Sequence, residues 1–349
     1  MSPSVNKEEP KVSDEREARS HAKAPEHLVD LAGLDRAFVL ELFAEADRLR
    51  AVRGTPRAPR PLAGKTAALV FHKPSLRTRV SFTVGMHELG GDAVDLGVVE
   101  VSETGRESVE DVAHVLSGMV DLVVVRTFSH RLVQRLAASA TIPVINALTD
   151  HSHPCQILAD MYTLWRAGRD LDQITIAWVG DGNNVLHSWL EASTLFGFKL
   201  RVAVPDGFEP DAGLYLAAEA HSKAGVRRVR DPYEAVRGAD MVYTDTWTSM
   251  GQEQEAEWRR IAFSGYTVDE RMMAAAHDDA VFMHCLPAHR GEEVTDEVLD
   301  GPQSIIVEQA ENRLHLQKAL MLSLLGMRTG ALPTRRPRTT HAVAVGAGA

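Results

Sequence analysis

Residues 67–89 read AALVFHKPSLRTRVSFTVGMHEL, an apolar run, a polar turn and a helical segment in succession. The run Ala67–Phe71 predicts a strand, and Val80–Leu89 predicts a helix that ends before a pair of glycines. Strands that alternate with helices are typical of parallel sheets covered by helices. Ligands in such folds bind beyond the carboxyl ends of the strands, so functional residues are expected in the turns that follow strands.

The same alternation continues along the chain in two successive runs. Strands are predicted at Ala93–Leu96, Leu122–Val125, Val144–Leu148, Ile174–Val179, Leu200–Val204, Met241–Thr244 and Val281–Met283. Helices are predicted at Val109–Met119, Leu132–Ala140, Pro154–Ala167, Val185–Phe196, Leu214–Ala224 and Glu308–Leu325. The expected fold class is α/β, with two doubly wound parallel-sheet domains joined by interdomain helices.

These two runs also suggest a division of the chain. We expect a disordered arm at residues 1–27, a first domain at 28–150, an interdomain helix at 151–168, a second domain at 169–307, a C-terminal helix at 308–327 that returns to the first domain, and a flexible tail at 328–349.

Composition excludes several classes of protein. The 349 residues carry a net charge of −10, which argues against a nucleic-acid-binding protein. The apolar runs are far shorter than the roughly 20 residues of a membrane helix, so no membrane association is expected. Two cysteines, Cys155 and Cys285, are too few for a disulfide scaffold and favour a reducing compartment. Acidic residues in the first twenty positions are unlike a targeting leader, so a cytoplasmic location is expected.

The turn after the first strand contains the first candidate binding site. Ser75 and Thr78 offer hydroxyl groups, Arg77 and Arg79 offer guanidinium groups, and the helix that follows presents unpaired backbone N–H groups. Arg126 follows another strand and is expected at the same edge of the sheet. These groups suit a phosphate, although a capped helix with arginines in solvent is an equally acceptable interpretation of the turn alone.

His153 and Gln156 open the long middle helix, and Arg313 lies on the last helix. A histidine and a glutamine three residues apart share one helical face and could hold a carbonyl oxygen and an amide. The alternative is that His153 caps the helix and that Gln156 and Arg313 face solvent.

The turn Gly180-Asp181-Gly182 invites a dinucleotide-binding interpretation, with Asp206 as the acidic residue for the ribose. The third glycine of the usual pattern is absent, so this signal is weak. Asn184 could instead donate its amide to a carboxylate.

Two further turns follow strands of the second run. Asp245 could bind an ammonium group, and Ser249 and Met250 lie in a short loop just after it. Cys285 could be a nucleophile, a ligand or a buried, inert thiol. A metal site formed by His153, Cys155, His284 and Cys285 matches no standard zinc spacing, so no metal is expected.

Together, in this order over residues 28–327, these strings resemble the aspartate/ornithine carbamoyltransferases. The segments MHCLPA, residues 283–288, and SMG, residues 249–251, resemble the ornithine branch in particular. The resemblance implies transfer of the carbamoyl group of carbamoyl phosphate to the δ-amino group of L-ornithine, which gives L-citrulline and phosphate. It also implies a role in arginine biosynthesis, no cofactor, and a homotrimer or an assembly of trimers.

The resemblance further implies a set of site residues. The catalytic group would comprise Cys285, Arg126, His153 and Asp245. Carbamoyl phosphate would be bound by Ser75, Leu76, Arg77, Thr78, Arg126, His153, Gln156, Cys285, Leu286 and Arg313. Ornithine would be bound by Asn184, Asp245, Ser249 and Met250. The first domain would then bind carbamoyl phosphate, and the second would bind ornithine.

Two positions depart from the family pattern. Many relatives have threonine at the position of Leu76 and glutamate at the position of His72. Three alternatives therefore stay open: another amine acceptor such as acetylornithine or putrescine, a non-catalytic protein that binds a phosphorylated metabolite, and an oxidoreductase based on the Gly180–Gly182 turn.

Overall fold

The computed structural model describes residues 23–97, 101, 106–327 and 329. Residues 1–22 of the predicted arm lie outside this range, as does the predicted tail at 328–349 apart from Thr329. Within it, the chain forms two parallel sheets with helices packed on them, which confirms the α/β fold class. No helix in the described ranges is long and apolar enough to cross a membrane.

The first sheet has the strand order β2-β1-β3-β4. Its strands are β1 (Thr66–Phe71), β2 (Asp92–Asp95), β3 (Leu122–Arg126) and β4 (Val144–Leu148). The β3 run is buried throughout, as expected for an apolar strand covered on both faces. Phe71 pairs with Arg126, so the turn after β1 and the end of β3 meet at one edge.

The second sheet has the strand order β7-β6-β5-β8-β9. Its strands are β5 (Thr175–Val179), β6 (Lys199–Ala203), β7 (Val226–Val229), β8 (Met241–Thr244) and β9 (Val281–His284). Strand β7 was not predicted from the sequence. In each sheet the chain changes direction of winding beside the central strand, between β1 and β3 and between β5 and β8. The loops diverge at these points and leave room for a ligand.

The first sheet is covered by α1 (Arg36–Val52), α2 (Leu76–Glu88), α3 (Val109–Ser117) and α4 (His130–Ser139). Helix α2 begins four residues earlier than predicted, because Ser75 caps it and its hydroxyl accepts a hydrogen bond from the Thr78 N–H. Helix α1 was not predicted, although its buried residues follow helical spacing from Phe38 to Leu49.

The second sheet is covered by helices that were predicted only in part. They are α6 (Asn184–Leu195), α7 (Ala212–His221), α8 (Pro232–Val236), α9 (Ala256–Ala262), α10 (Glu270–Met273) and α11 (Asp296–Leu299), with a short 3-10 turn at Glu253–Glu255. Of these, α6 and α7 correspond to predicted helices, and the shorter ones were missed.

Two long helices connect the halves of the molecule. They are α5 (Pro154–Arg166) and α12 (Ile306–Leu324), and α12 packs against α1, α2 and α5. A single apolar cluster includes Phe82 of α2, Tyr162 of α5, Trp178 of β5 and Leu320 of α12. Because this cluster runs from one sheet to the other, the carboxyl ends of both sheets are held around a shared cleft.

Candidate active site

A cleft of about 1210 Å³ lies where the carboxyl ends of the two sheets face each other. It is lined by every site residue named in the sequence analysis except Gln156: Ser75, Leu76, Arg77, Thr78, Arg126, His153, Asn184, Asp245, Ser249, Met250, Cys285, Leu286 and Arg313. Residues more than 200 positions apart in the chain thus border one space.

The amino end of α2 opens into the cleft. Thr78 is buried, and its hydroxyl oxygen accepts a hydrogen bond of 2.6 Å from Nη2 of Arg313. The side chain of Leu76 is 76% exposed, so this residue can offer an anion only its backbone N–H. Arg79 was considered with the phosphate turn, but its side chain forms an ion pair with Asp95 and does not line the cleft.

Two arginines and a histidine bring positive charge and unpaired donors to the cleft. Arg126 Nε, His153 Nδ1 and Arg313 Nε are buried and have no hydrogen-bond partner within the described residues. Burial and the nearby guanidinium groups of Arg313 and Arg77 lower the pKa of Arg126 to about 10. Burial and the cations Arg313 and Arg126 hold the pKa of His153 well below 6.5, so its imidazole is neutral at pH 7. Unpaired buried donors are costly, and a bound anion would satisfy them.

Gln156 lies behind this group and is only 1% exposed. Its Oε1 accepts a hydrogen bond of 2.9 Å from Nη1 of Arg313, and its Nε2 donates to Asp160 at 2.8 Å. Burial raises the pKa of Asp160 to about 7, and hydrogen bonds from its neighbours oppose that rise. Asp160 was missed by sequence analysis.

Lys73 was also missed as a residue of the cleft. Its side chain is almost fully buried, forms an ion pair with Asp150 and lies 4.2 Å from the centre of the Phe128 ring. The one available signal was its place at the start of the phosphate turn, two residues after β1.

The opposite side of the cleft carries a buried carboxylate beside a thiol. Asp245 follows β8 and accepts hydrogen bonds from Cys285 Sγ at 3.0 Å and from Asn183 Nδ2 at 2.7 Å. Burial and the Asp245 carboxylate raise the pKa of Cys285 well above 9, so the sulfur is protonated. Asn184 lines the cleft, but its amide nitrogen donates to the Thr149 carbonyl oxygen, whereas the unpredicted Asn183 contacts Asp245.

The loop after Asp245 closes one wall of the cleft. Met250 is partly exposed, and Gly251 lies close to the Phe128 ring of the first domain. The loop is anchored from below by Arg259, whose Nη1 donates to the Trp247 carbonyl oxygen and to Asp181. Loops that contact both sides of a cleft in this way can open and close over a substrate.

The Gly180–Gly182 turn has a packing role that explains its glycines. A Cβ at Gly182 would lie 2.3 Å from the Pro210 nitrogen and 2.4 Å from the Phe208 carbonyl oxygen. Asp206, the candidate ribose ligand, is exposed and faces Arg230 at 3.4 Å. The turn therefore needs glycine to approach the following loop, and it has no acidic partner facing the cleft.

Replacing Gly182 with alanine should destabilise the protein by about 2–3 kcal/mol, because backbone atoms must move to admit the methyl group. Chemical denaturation followed by circular dichroism would measure the change. Gly118→Ala is a matched control, since the nearest atom to its new Cβ would be 3.6 Å away. Equal stability of the two variants would contradict this explanation of the turn.

The metal site considered in the sequence analysis does not come together. Among the described residues, His284 and Cys285 lie close to Asp245, but His153 and Cys155 are in no such group. Cys155 Sγ instead donates to the Asn146 carbonyl oxygen. His284 accepts from the Leu286 N–H and faces Glu293.

His72, the second departure from the family pattern, lies beside the cleft and not in it. Its Nδ1 is 2.9 Å from the Thr127 hydroxyl, and burial lowers the pKa of its imidazole. A neutral imidazole here cannot pair with an arginine as a glutamate would.

Comparison with known proteins agrees with this geometry. Residues 26–166 match the family described as "Aspartate/ornithine carbamoyltransferase, carbamoyl-P binding domain", and residues 172–324 match its "Asp/Orn binding domain". A relative named ornithine carbamoyltransferase from Chlorobaculum tepidum is 49% identical over 84% of this chain and 88% of its own.

Solved structures give the same result. The ornithine carbamoyltransferase from Pyrococcus furiosus superposes with a TM-score of 0.82 and 44% identity over 86% of this chain and 97% of its own. A structure described as an anabolic ornithine carbamoyltransferase from Campylobacter jejuni superposes with a TM-score of 0.80 and 34% identity, over 86% of this chain and 99% of its own.

Proposed function

The chain belongs to the aspartate/ornithine carbamoyltransferase family, and we propose that its cleft transfers the carbamoyl group of carbamoyl phosphate to the δ-amino group of L-ornithine. The products are L-citrulline and phosphate. The observation that carries this assignment is the placement of unpaired cationic donors on one side of the cleft and of the Asp245–Cys285 pair on the other. The first set suits an acyl phosphate, and the second suits an amine.

The phosphate group binds at the amino end of α2. Backbone N–H groups there, the Ser75 and Thr78 hydroxyls and the Arg77 guanidinium are all donors, and the helix dipole favours a negative charge. Arg313 joins this set because its Nη2 already contacts Thr78. These groups also stabilise the phosphate as it leaves.

The carbamoyl oxygen binds between Arg126 and His153. Negative charge builds on this oxygen when the amine attacks the carbonyl carbon, so fixed donors stabilise the transition state more than the ground state. His153 acts as a neutral hydrogen-bonding group, since its pKa is held low by burial and by Arg313. Gln156 contributes from behind by orienting Arg313.

Ornithine binds on the second-domain side, where Asp245, Asn184, Ser249 and Met250 line the wall. Its δ-ammonium group should resemble that of lysine, with a pKa near ~10.4, and must lose a proton before the nitrogen attacks. The Asp245 carboxylate holds the cation and can accept that proton. Cys285 and Leu286 lie beside the reacting end, and Cys285 serves as a hydrogen-bond donor to Asp245 and not as a covalent nucleophile, because its thiol stays protonated.

The sequence divisions give each part of the chain a role. Residues 28–150 form the carbamoyl-phosphate-binding domain and 169–307 the ornithine-binding domain, while 151–168 and 308–327 join them. Much of the rate enhancement then comes from aligning two substrates between two domains. A role in arginine biosynthesis in the cytoplasm is supported by the anabolic Campylobacter jejuni enzyme and by the two unpaired cysteines.

A homotrimer or an assembly of trimers is the proposed quaternary state. Exposed apolar side chains on α2 and on the edge strand β2, including Leu76, Val80 and Val94, offer a contact surface beside the phosphate turn. Light scattering coupled to gel filtration should give a mass of three, or a multiple of three, 38.2 kDa chains. A monomer at micromolar concentration would contradict the proposal.

The acceptor is tested by measuring citrulline formation with carbamoyl phosphate and an equal concentration of each candidate amine. We expect kcat/KM for ornithine to exceed that for acetylornithine, putrescine or aspartate at least about a hundredfold, since the site pairs polar groups with the whole amino acid. Turnover with a different amine alone would overturn the assignment of Asp245 and Ser249. Tight binding of carbamoyl phosphate without any turnover would favour the non-catalytic alternative.

A further inference from the structure

A fully buried carboxylate, that of Asp160 on α5, lies one helical turn behind Gln156. Its Oδ1 accepts hydrogen bonds from Gln156 Nε2 at 2.8 Å and Gln309 Nε2 at 2.9 Å. Its Oδ2 accepts a hydrogen bond of 2.8 Å from the Tyr243 hydroxyl. These three donors come from α5, α12 and β8, so the carboxylate lies at the junction between the two sheets.

The chemistry of its neighbours leaves the Gln156 amide one orientation. Arg313 can only donate hydrogen bonds, so it requires the amide oxygen on its side. An ionised Asp160 can only accept them, so it requires the amide nitrogen on the other side. If the carboxylate were absent, nothing on that side would prevent the amide from turning its NH₂ group toward Arg313.

We propose that Asp160 is a positioning residue for carbamoyl phosphate: it fixes the Gln156 amide and, through it, the guanidinium of Arg313 in the cleft. Arg313 is then held by two acceptors, Gln156 Oε1 and the Thr78 hydroxyl oxygen. The proposal rests on the proposed function in one respect, because it assigns Arg313 to carbamoyl phosphate.

A second branch of the same network reaches the ornithine side but has a reserve partner. Gln309 Oε1 accepts a hydrogen bond of 3.0 Å from the His284 N–H, next to Cys285. Gln309 Nε2 lies 3.1 Å from the Tyr243 hydroxyl as well as near Asp160. Loss of Asp160 therefore leaves Gln309 one partner, whereas the described contacts of Gln156 Nε2 include only Asp160. The effect of the loss should fall on carbamoyl phosphate.

The test compares the Michaelis constants of three variants with those of the wild type. In Asp160→Ser, water can enter the gap, but water both donates and accepts and so cannot fix the amide. We expect KM for carbamoyl phosphate to rise about tenfold, with kcat and KM for ornithine unchanged to within about twofold. Asp160→Asn should recover most of this loss, because its oxygen can face the two glutamine amides and its NH₂ group can face the Tyr243 hydroxyl.

Tyr243→Phe is the matched control, since it removes a hydrogen bond from the other oxygen of the same carboxylate. It should lower the melting temperature and leave KM for carbamoyl phosphate unchanged. If Asp160→Ser does not fold, Asp160→Thr, which retains more volume, carries the same prediction.

An unchanged KM for carbamoyl phosphate in the serine variant would overturn the inference, and so would an equal rise in both Michaelis constants or an asparagine variant as impaired as the serine one. Absence of citrulline formation by the wild type would instead overturn the proposed function.

Discussion

Arg126→Met should lower kcat for citrulline formation about a thousandfold, because removing one donor from a developing oxyanion costs that order of rate. Arg126 ends β3, is buried, and keeps Nε without a partner among the described residues, so no other contact holds it away from the ligand. Methionine preserves much of the side-chain volume, so the fold should survive. Initial rates at saturating substrates would measure the loss.

The control for this variant is Arg131→Met, an exposed arginine in the first turn of α4. Its kcat should stay within about twofold of the wild type, as for most surface substitutions. A loss of less than about tenfold in Arg126→Met would contradict the assignment of Arg126 to the carbamoyl oxygen.

Asp245→Asn should lower kcat/KM for ornithine about a thousandfold, within the range expected for loss of a proton acceptor. The change keeps the shape of the side chain but removes the negative charge that would hold the δ-ammonium group. KM for carbamoyl phosphate should change little, because Asp245 lies across the cleft from the amino end of α2. Rates at varied ornithine with saturating carbamoyl phosphate separate these effects.

Asp206→Asn gives a matched control, since Asp206 also follows a strand of the second sheet but is exposed. We expect its kcat/KM to equal that of the wild type. Similar losses in the two variants, or a loss in Asp245→Asn confined to carbamoyl phosphate, would show that Asp245 does not act on the amine.

The parts of the site that sequence analysis found are those that follow strands. Arg126 and Asp245 could be predicted because a short apolar run identifies a buried strand, and the residue at its carboxyl end has a known place in the fold. Arg313 and Gln156 lie on helices, where the local pattern left a solvent-facing interpretation open. Only the family resemblance placed them in the site.

Asp160 shows what the sequence could not supply. The apolar stripe of α5 predicts one buried face, but this helix is buried on almost all sides. The partners of Asp160 are Tyr243 and Gln309, which lie 83 and 149 residues away. No local period reveals that such distant donors meet one carboxylate.

The short helices α8 to α11 were missed for a related reason. Each has only four to seven residues. So few residues show no complete helical period, and packing against the sheet decides their conformation. Helix α1 is different, because its spacing from Phe38 to Leu49 was readable in the sequence and was overlooked.

The most direct test of the central claim, that one cleft aligns both substrates, is a crystal structure with a molecule that joins them, such as a phosphonoacetyl amide on the δ-nitrogen of L-ornithine. The account expects the phosphonate at the amino end of α2, the carbonyl oxygen against Arg126 and His153, and the δ-nitrogen beside Asp245. A phosphonate bound away from α2, or an amino acid end bound away from Asp245, would contradict it.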